Sequence, residues 1–156
     1  MKNERHQKFR EISERRMTRV FENMNLIANL SNKKNYEYVV NEEIEELFYA
    51  YRKKGEEIKS YFENNVSTKS TVTEFKFLEK SDIEFLESKR KKFRELAESR
   101  MTKVFQDMNL IANLSNKTNY TYTIQEVDEL FLAYEEKGRM VESRFLPLIK
   151  EFKYTV

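Results

Sequence analysis

One stretch occurs twice in this sequence. Met24–Tyr38 reads MNLIANLSNKKNYEY and Met108–Tyr122 reads MNLIANLSNKTNYTY, so the two copies differ at two of fifteen positions. The similarity extends toward the N-terminus, because Lys8–Tyr38 matches Lys92–Tyr122 at about 23 of 31 positions with an offset of 84. Whatever one copy folds into, the other copy is expected to form as well. We therefore divide the chain into two repeats, residues 1–80 and 81–156, which we expect to share one core.

Each repeat is predicted to contain two long helices. The 156 residues include only two Gly and one Pro, and 36% are charged, which is typical of long helices with few turns. Apolar residues recur every three or four positions before the repeated stretch and again after it, which predicts two amphipathic helices. In the first repeat we place these helices at about Asn3 to Leu30 and Asn41 to Phe62. We expect an asparagine, Asn29, Asn32 or Asn35, to close the first helix in the left-handed conformation.

Capping boxes mark the helices of the second repeat. Ser81 with Glu84 is such a pair and opens a helix that we extend to about Leu114. Thr123 with Glu126 opens a second helix, which ends before Pro147. After the tyrosines the second copy lacks one residue, so the offset between the repeats becomes 83.

The short connections between helices predict antiparallel helical hairpins. Each hairpin is followed by a short alternating segment, Thr71–Phe77 or Glu151–Val156, and these segments are candidates for a small two-stranded β element. A lone hairpin would leave its aromatic stripe in water. We therefore predict a mainly α protein whose two tandem hairpins pack as a pseudo-two-fold four-helix bundle. The alternative is two separate hairpins on a flexible joint, and closure between two chains as a homodimer stays open.

The residue types argue against an enzyme. The chain has no Cys and one His, His6, for which we find no match in the second copy and which we expect to be an exposed surface residue. One histidine without cysteine does not build a zinc site of the usual type, and no nucleophile can be paired with it. Repeated acid pairs, Glu11 with Glu14 and Glu95 with Glu98, suit salt bridges better than catalysis. We expect no catalytic residue, metal or cofactor.

Two glycines recur inside the second helix of each repeat, Gly55 in YRKKGEE and Gly138 in YEEKGRM. A glycine inside a helix costs about 1 kcal/mol relative to alanine. Its recurrence at equivalent positions predicts a close helix crossing or a kink.

A basic stripe is duplicated on the first helix of each repeat. At about 100° per residue its members fall in one sector beside the apolar face. They are Arg5, Lys8, Arg16 and Arg19, matched by Lys89, Lys92, Arg100 and Lys103. Such a stripe suits a nucleic-acid backbone. The alternative, which we favour, is a solvated face balanced by the acidic starts of the second helices, because the net charge is only +2.

The repeated stretch supplies a second candidate surface, rich in amides and edged by tyrosines. Its members are Asn25, Asn29, Asn32, Asn35, Tyr36 and Tyr38, with Asn109, Asn113, Asn116, Asn119, Tyr120 and Tyr122. The same residue types can cap a helix and close a hairpin, and we favour this structural role over partner binding.

The repeated unit resembles small uncharacterised helical proteins carried by phages and other mobile elements of Gram-positive and gut bacteria. The shared motif is NLSN-x-x-NY-x-YT, present at Asn29–Tyr38 and at Asn113–Thr123, although the first copy has Val39 where the motif has Thr. The resemblance implies a genomic setting in which small helical proteins bind host proteins, including defence proteins, without catalysis.

We therefore expect a non-catalytic binding protein that inhibits a larger host protein, such as a CRISPR-type nuclease. A nucleic-acid-binding regulator that uses the basic stripe is the alternative. The charged N-terminus has no signal-peptide core, and no apolar run approaches the roughly 20 residues of a membrane span. We expect a cytoplasmic location in a bacterial host and no membrane partner.

Overall fold

Four long helices make up most of the computed structural model, which describes residues 3–64, 72–78 and 87–156. They are α1 (Glu4–Ala28), α2 (Glu45–Asn64), α3 (Ser88–Ala112) and α4 (Ile124–Ser143). The predicted capping box of Thr123 with Glu126 is confirmed at the start of α4. The one predicted for Ser81 with Glu84 lies outside the described residues.

The first helix of each repeat ends in a tight 3₁₀ turn. These turns cover Asn29–Ser31 after α1 and Asn113–Ser115 after α3. Asn29 is right-handed, with φ −63°, and Asn32 is extended, with φ −68° and ψ 103°, so neither adopts the predicted left-handed conformation. The 3₁₀ turn replaces it, since the N–H of Asn32 reaches the carbonyl of Asn29 at 3.4 Å before the chain leaves in an extended direction.

A π-helical turn, Val40–Ile44, precedes α2, whereas α4 begins directly after Thr123. The first copy carries one residue more than the second between the tyrosines and the second helix. A π turn holds one residue more than an α turn, so it absorbs the insertion without shifting the apolar face of α2. Asn41, with φ −84° and ψ 17°, is where the backbone departs from helical geometry.

The four helices pack together with the helices of the two repeats interlocked. The extensive contacts between long helices are α1 with α3, α1 with α4, α2 with α3, and α2 with α4. Each of these pairs joins a helix of one repeat to a helix of the other, so the two helices of a repeat stand at opposite corners of the bundle. The predicted four-helix packing is present, but the apolar stripe of each hairpin is covered by the other repeat and not by its own second helix.

The directions of α1 and α3 follow from two matching hydrogen bonds. Arg16 donates to the carbonyl of Leu110, and Arg100 donates to the carbonyl of Leu26, both at 2.7 Å. From Arg16 to Leu26, ten residues forward on α1, the bonded residue on α3 moves ten positions backward, from Leu110 to Arg100. The two helices run antiparallel.

The crossing of α2 and α4 is built around two stacked tyrosines. The rings of Tyr51 and Tyr134 lie 4.0 Å apart and within 8° of parallel. Each hydroxyl donates to the backbone carbonyl of the other residue at 2.6 Å. Gly55 lies against the ring of Tyr134 and Gly138 against the ring of Tyr51, so closely that an added Cβ would clash with the ring. The prediction of a close helix crossing at the glycines is confirmed.

The two alternating segments have different surroundings. Residues 72–78 pack onto the helices with Phe75 and Phe77 buried, whereas 151–156 are exposed along their length. No β-strand occurs in 3–64, 72–78 or 87–156, so the expected two-stranded element is not formed there. The alternation in 72–78 instead places two phenylalanines on a helical surface.

Candidate functional site

The antiparallel packing of α1 and α3 brings the inner members of the two predicted basic stripes to the same seam. Arg16 and Arg100 bond across the seam to Leu110 and Leu26. Lys89 and Lys92 instead lie beside Glu37 and Tyr36, in the connection that follows α1. Because the helices run in opposite directions, the two stripes meet at the seam and extend away from it in opposite directions. We call this set the basic band: Arg5, Lys8, Arg16, Arg19, Lys89, Lys92, Arg100 and Lys103.

Most of the basic band is exposed. Arg16 and Arg100 are half-buried and hold the two helices together, whereas the other six side chains are exposed. Two leucines lie among them, Leu26 at 43% and Leu110 at 38% exposure. Each follows a basic residue of the band by seven positions and therefore lies on the same side of its helix. The seam thus combines positive charge with apolar contact area.

An acidic residue also lies in the seam. Asp107 accepts a hydrogen bond at 3.2 Å from Asn23, its counterpart on α1. Burial raises the pKa of Asp107 and Glu22 adds to this effect, while Arg19 and Asn23 act in the opposite direction. Arg19 is therefore partly balanced within the seam.

The acids at the starts of α2 and α4 were expected to offset the stripe, but two of them pair elsewhere. Glu43 is fully buried, and its Oε2 accepts from Nε of Arg90 at 2.6 Å and from Nε of Arg94 at 2.7 Å. Its Oε1 accepts from the backbone N–H of Val39 at 2.8 Å. Burial raises the pKa of Glu43, but the hydrogen bonds from Arg90, Val39 and Arg94 outweigh it and hold the pKa below its usual value.

The same arrangement recurs at the start of α4. Glu126 pairs with Nε2 of His6 at 2.7 Å and with Nε of Arg10 at 2.8 Å, and it accepts the backbone N–H of Thr123. The pKa of Glu126 is also lowered, since hydrogen bonds from Thr123 and His6 outweigh burial. The expectation that His6 is an exposed surface residue is wrong, because Glu126 draws its ring into a half-buried pair.

His6 also has a match in the second repeat that sequence reasoning missed. It stands 84 residues before Arg90, just as Arg10 stands before Arg94. Each repeat thus supplies one carboxylate at the start of its second helix and two bases on its first helix, and each carboxylate pairs with the bases of the other repeat. These clusters join the two repeats, and at Glu126 the hydroxyl of Thr123 donates a further hydrogen bond at 3.2 Å.

The tyrosines of the repeated stretch have structural roles. The hydroxyl of Tyr38 donates to the carbonyl of Ser31 at 3.0 Å, and that of Tyr122 donates to the carbonyl of Ser115 at 2.9 Å. Both rings pack against core phenylalanines. Each hydroxyl thus ties the chain back to the 3₁₀ turn at the end of the first helix of its repeat.

The other members of the amide-rich surface are dispersed among different contacts. Tyr36 lies under the ammonium of Lys92, 5.7 Å from the ring centre. Asn25 accepts from Lys137, and Asn109 donates to the carbonyl of Val72. Tyr120 is half-buried, and the exposed asparagines of this surface are Asn25, Asn29, Asn32, Asn35, Asn113, Asn116 and Asn119.

No protein-family model, curated protein or solved structure matches this chain. Within the described ranges, no three or more His, Asp or Glu side chains are grouped so as to hold a metal ion. None of the helices described is both long enough and apolar enough to cross a membrane. The class is therefore defined by its fold, a mainly helical four-helix bundle, and by its surfaces.

Proposed function

We propose that this chain is a non-catalytic binding protein that acts by protein–protein contact through the basic band. The observation that carries the proposal is the meeting of both stripes at one seam, with Leu26 and Leu110 among their inner members. Arginines beside apolar side chains are suited to a protein interface, and a band of one sign favours a partner surface of the opposite sign. The partner should present an acidic surface.

The resemblance to proteins of mobile elements supports the class of partner. In that setting the partner is a larger host protein, and binding inhibits it by covering a working surface. A defence protein such as a CRISPR-type nuclease fits this description. In the cell, the chain should relieve restriction of a phage or plasmid by its target system, and unchanged restriction across such systems would contradict this version of the proposal.

We also infer that the bundle is pseudo-two-fold. The reciprocal bonds of Arg16 and Arg100, and those of Tyr51 and Tyr134, support this symmetry. An axis through the α1–α3 seam relates one stripe to the other. The band then consists of two symmetry-related halves. Such a band suits a partner that has a two-fold axis of its own or an elongated binding surface.

A nucleic-acid-binding regulator is the second candidate, favoured by the continuity of the band. The band follows helices of 25 residues, about 40 Å in length. Exposed Lys and Arg spaced along such a length can neutralise successive phosphates of a duplex. Binding of this kind weakens steeply as salt is raised, which separates the two candidates.

The test reverses the exposed charges of the band and leaves Arg16 and Arg100 in place, because those two hold the helices together. The band variant carries Lys8→Glu, Arg19→Glu, Lys89→Glu and Lys103→Glu. The matched control makes the same charge change at exposed residues outside the band, Lys34→Glu, Lys53→Glu, Arg139→Glu and Arg144→Glu. Each protein is used for affinity purification from bacterial lysate, with and without nuclease and at low and high salt, followed by mass spectrometry and an absorbance ratio.

We expect a defined protein that survives nuclease, is captured by the native chain and the control, and is lost with the band variant. Equal capture of that protein by the band variant would remove the band from the proposal. Co-purified nucleic acid that salt releases, again only from the native chain and the control, would support the second candidate instead.

A further inference from the structure

The groove between α2 and α3 is filled by residues 72–78 of the chain itself. Phe75 and Phe77 are buried in it, at 6% and 5% exposure. The backbone N–H of Phe75 donates to the hydroxyl of Thr102, and that of Phe77 donates to the carboxylate of Glu98, both at 2.9 Å. Side chains of α3 thus recognise the backbone of an extended segment.

Two further side chains hold the start of this segment. The carbonyl of Val72 accepts from the ammonium of Lys54 at 3.0 Å and from the side-chain amide of Asn109 at 2.9 Å. Lys54 also lies over the ring of Phe105, 5.2 Å from its centre. At the other end, the N–H of Leu78 donates to the carboxylate of Glu46 at 2.7 Å.

The groove between α1 and α4 has the same lining, but no segment within 3–64, 72–78 or 87–156 lies in it. The repeat offsets place in it the counterparts of the residues that hold the segment, namely Glu14, Thr18, Phe21, Asn25, Glu129 and Lys137. Several of them line an open cavity of about 270 Å³ together with Leu130 and Ala133. The groove therefore offers the same donors, acceptors and apolar surface, without any of the described segments lying between them.

The side chains that would hold the segment are already placed in the open groove. Lys137 lies over the ring of Phe21 at 5.2 Å, the same distance as for Lys54 over Phe105. In the filled groove, Lys54 and Asn109 both donate to the carbonyl of Val72. In the open groove their counterparts bond to each other, since Lys137 donates to Asn25 at 2.7 Å. Phe21 and Lys137 are half-buried, whereas their counterparts in the filled groove are buried.

The chain contains a second segment of the matching kind. Residues 151–154 read EFKY where 74–77 read EFKF. Phe152 and Tyr154, the counterparts of Phe75 and Phe77, are 76% and 86% exposed. Ile149, in the place of Val72, is 93% exposed. Apolar side chains repeated in this way on an exposed segment indicate a surface that another element covers.

The connection to this segment is short. Phe62 and Phe145 are equivalent buried residues near the ends of α2 and α4. Thirteen residues lead from Phe62 to Phe75, but only seven lead from Phe145 to Phe152. Seven extended residues span at most about 25 Å.

The path from Phe145 to the groove of the same chain is nearly as long as the span of these seven residues. Phe75 lies midway between the levels of Lys54 and Glu46, so the equivalent target on α4 is near Ala133. Ala133 is twelve residues from Phe145, about 18 Å along a helix. The chain must also reverse direction and cross to the groove, and its first residues are held in a turn in which Leu146 donates to Ser143. A segment from another molecule has no such constraint.

We propose that the groove between α1 and α4 binds the C-terminal segment, Ile149–Thr155, of a second copy of this chain. Exchange of the two segments gives a closed dimer in which each groove is filled as the α2–α3 groove is. The carbonyl of Ile149 replaces the Lys137–Asn25 bond, and the N–H groups of Phe152 and Tyr154 meet Thr18 and Glu14. This inference goes beyond the proposed function, since it does not use the basic band.

Cysteine cross-linking tests the exchange in the full chain, which has no Cys of its own. Glu129 and Thr155 are both exposed and occupy the places of Glu46 and Leu78, which are in contact in the filled groove. A chain with Glu129→Cys is mixed with a chain with Thr155→Cys under mild oxidation, and non-reducing electrophoresis shows the products. We expect a disulfide-linked heterodimer within minutes, and at least tenfold less of it when Glu135→Cys, exposed on another side of α4, replaces Glu129→Cys.

Light scattering supplies an independent readout. The native chain should be a dimer at micromolar concentration, and Phe152→Ala with Tyr154→Ala should make it monomeric with unchanged circular dichroism, because both rings are exposed in the single chain. A double variant, Glu129→Cys with Thr155→Cys, that forms only an intrachain disulfide would show that the segment fills its own groove and would overturn the proposal. So would a monomeric native chain, or a dimer that keeps its mass in the Phe152→Ala and Tyr154→Ala variant.

Discussion

Gly55 and Gly138 lie where α2 and α4 come closest, and alanine at Gly55 should destabilise the fold although alanine favours helices. The new methyl group would clash with the ring of Tyr134 and force the stacked tyrosines apart. Overpacking of this kind costs about 1–3 kcal/mol, and separation of the rings also weakens their two hydrogen bonds. Alanine also favours the helix over glycine by about 1 kcal/mol, which offsets part of this cost. We therefore expect the free energy of unfolding to fall by about 2 kcal/mol, measured by urea denaturation.

Glu56→Ala, at the exposed neighbouring position, is the control and should change stability by less than about 0.5 kcal/mol. If Gly55→Ala proved as stable as the native chain, the crossing would have room that the structure does not show.

The repeated glycines predicted a close approach from sequence, but they did not show what each glycine meets. Each lies against the tyrosine of the other repeat, and these two tyrosines are 83 positions apart in the sequence. The role of His6 was not predicted, because its counterpart Arg90 is a different residue type. The two share only the ability to pair with a carboxylate of the other repeat.

At the level of the helix, Glu43 in the π turn before α2 and Glu126 in the first turn of α4 should differ in their effect on stability. Glu43→Gln removes the carboxylate that pairs with the buried Arg94, whereas Arg90 keeps Glu42 at 3.3 Å. Breaking a buried pair costs about 3–5 kcal/mol. Glu126→Gln should cost about 1 kcal/mol, because its partner Arg10 is 60% exposed and solvent screens the lost charge. Urea denaturation at pH 7 measures both, and equal losses would contradict the difference in burial.

Both carboxylates also make the fold sensitive to acid. Each has a folded pKa below the ordinary 4.5, so its stabilisation is complete above the pKa of the unfolded chain and is lost as the pH falls from about 4.5 through the folded pKa. The free energy of unfolding of the native chain should therefore decrease below pH 4.5. The difference in the free energy of unfolding between the native chain and Glu43→Gln should become smaller over the same pH range. A difference that stays constant down to pH 3 would argue against the pairing of Glu43 with the arginines.

Sequence patterns predicted the helices better than the elements between them. Apolar spacing of three and four residues gave α1 and α2 to within a few residues, because a helix buries one face whatever covers it. The π turn before α2 was not predicted, although the offset that changes from 84 to 83 was its signal. The alternation at Phe75 and Phe77 predicted an extended segment with one buried side. It could not tell whether that side meets another strand or a pair of helices, and here it meets helices.

Across the whole molecule, the sequence predicted four packed helices but not their interlocking. The same apolar stripes are buried whether a hairpin packs on itself or on its twin, so periodicity does not distinguish the two arrangements. In the structure, the extensive contacts of each long helix are with both helices of the other repeat. The basic band depends on this arrangement, since it arises only where α1 and α3 lie side by side.

Interlocking predicts that neither repeat folds alone as a monomer. A fragment of residues 1–80 keeps α1 and α2 but loses α3 and α4, the helices that cover their apolar faces, and a unit of roughly 80 residues is already near the lower limit for an independent core. Separate fragments 1–80 and 81–156 should be weakly helical by circular dichroism at low micromolar concentration, or become helical only as concentration rises and two copies interlock. Mixed in equal amounts, they should recover the helical signal and the cooperative thermal transition of the intact chain. A fragment that melts cooperatively as a monomer, at a temperature independent of concentration, would mean that each hairpin has a core of its own and that the contacts between repeats only join two finished units.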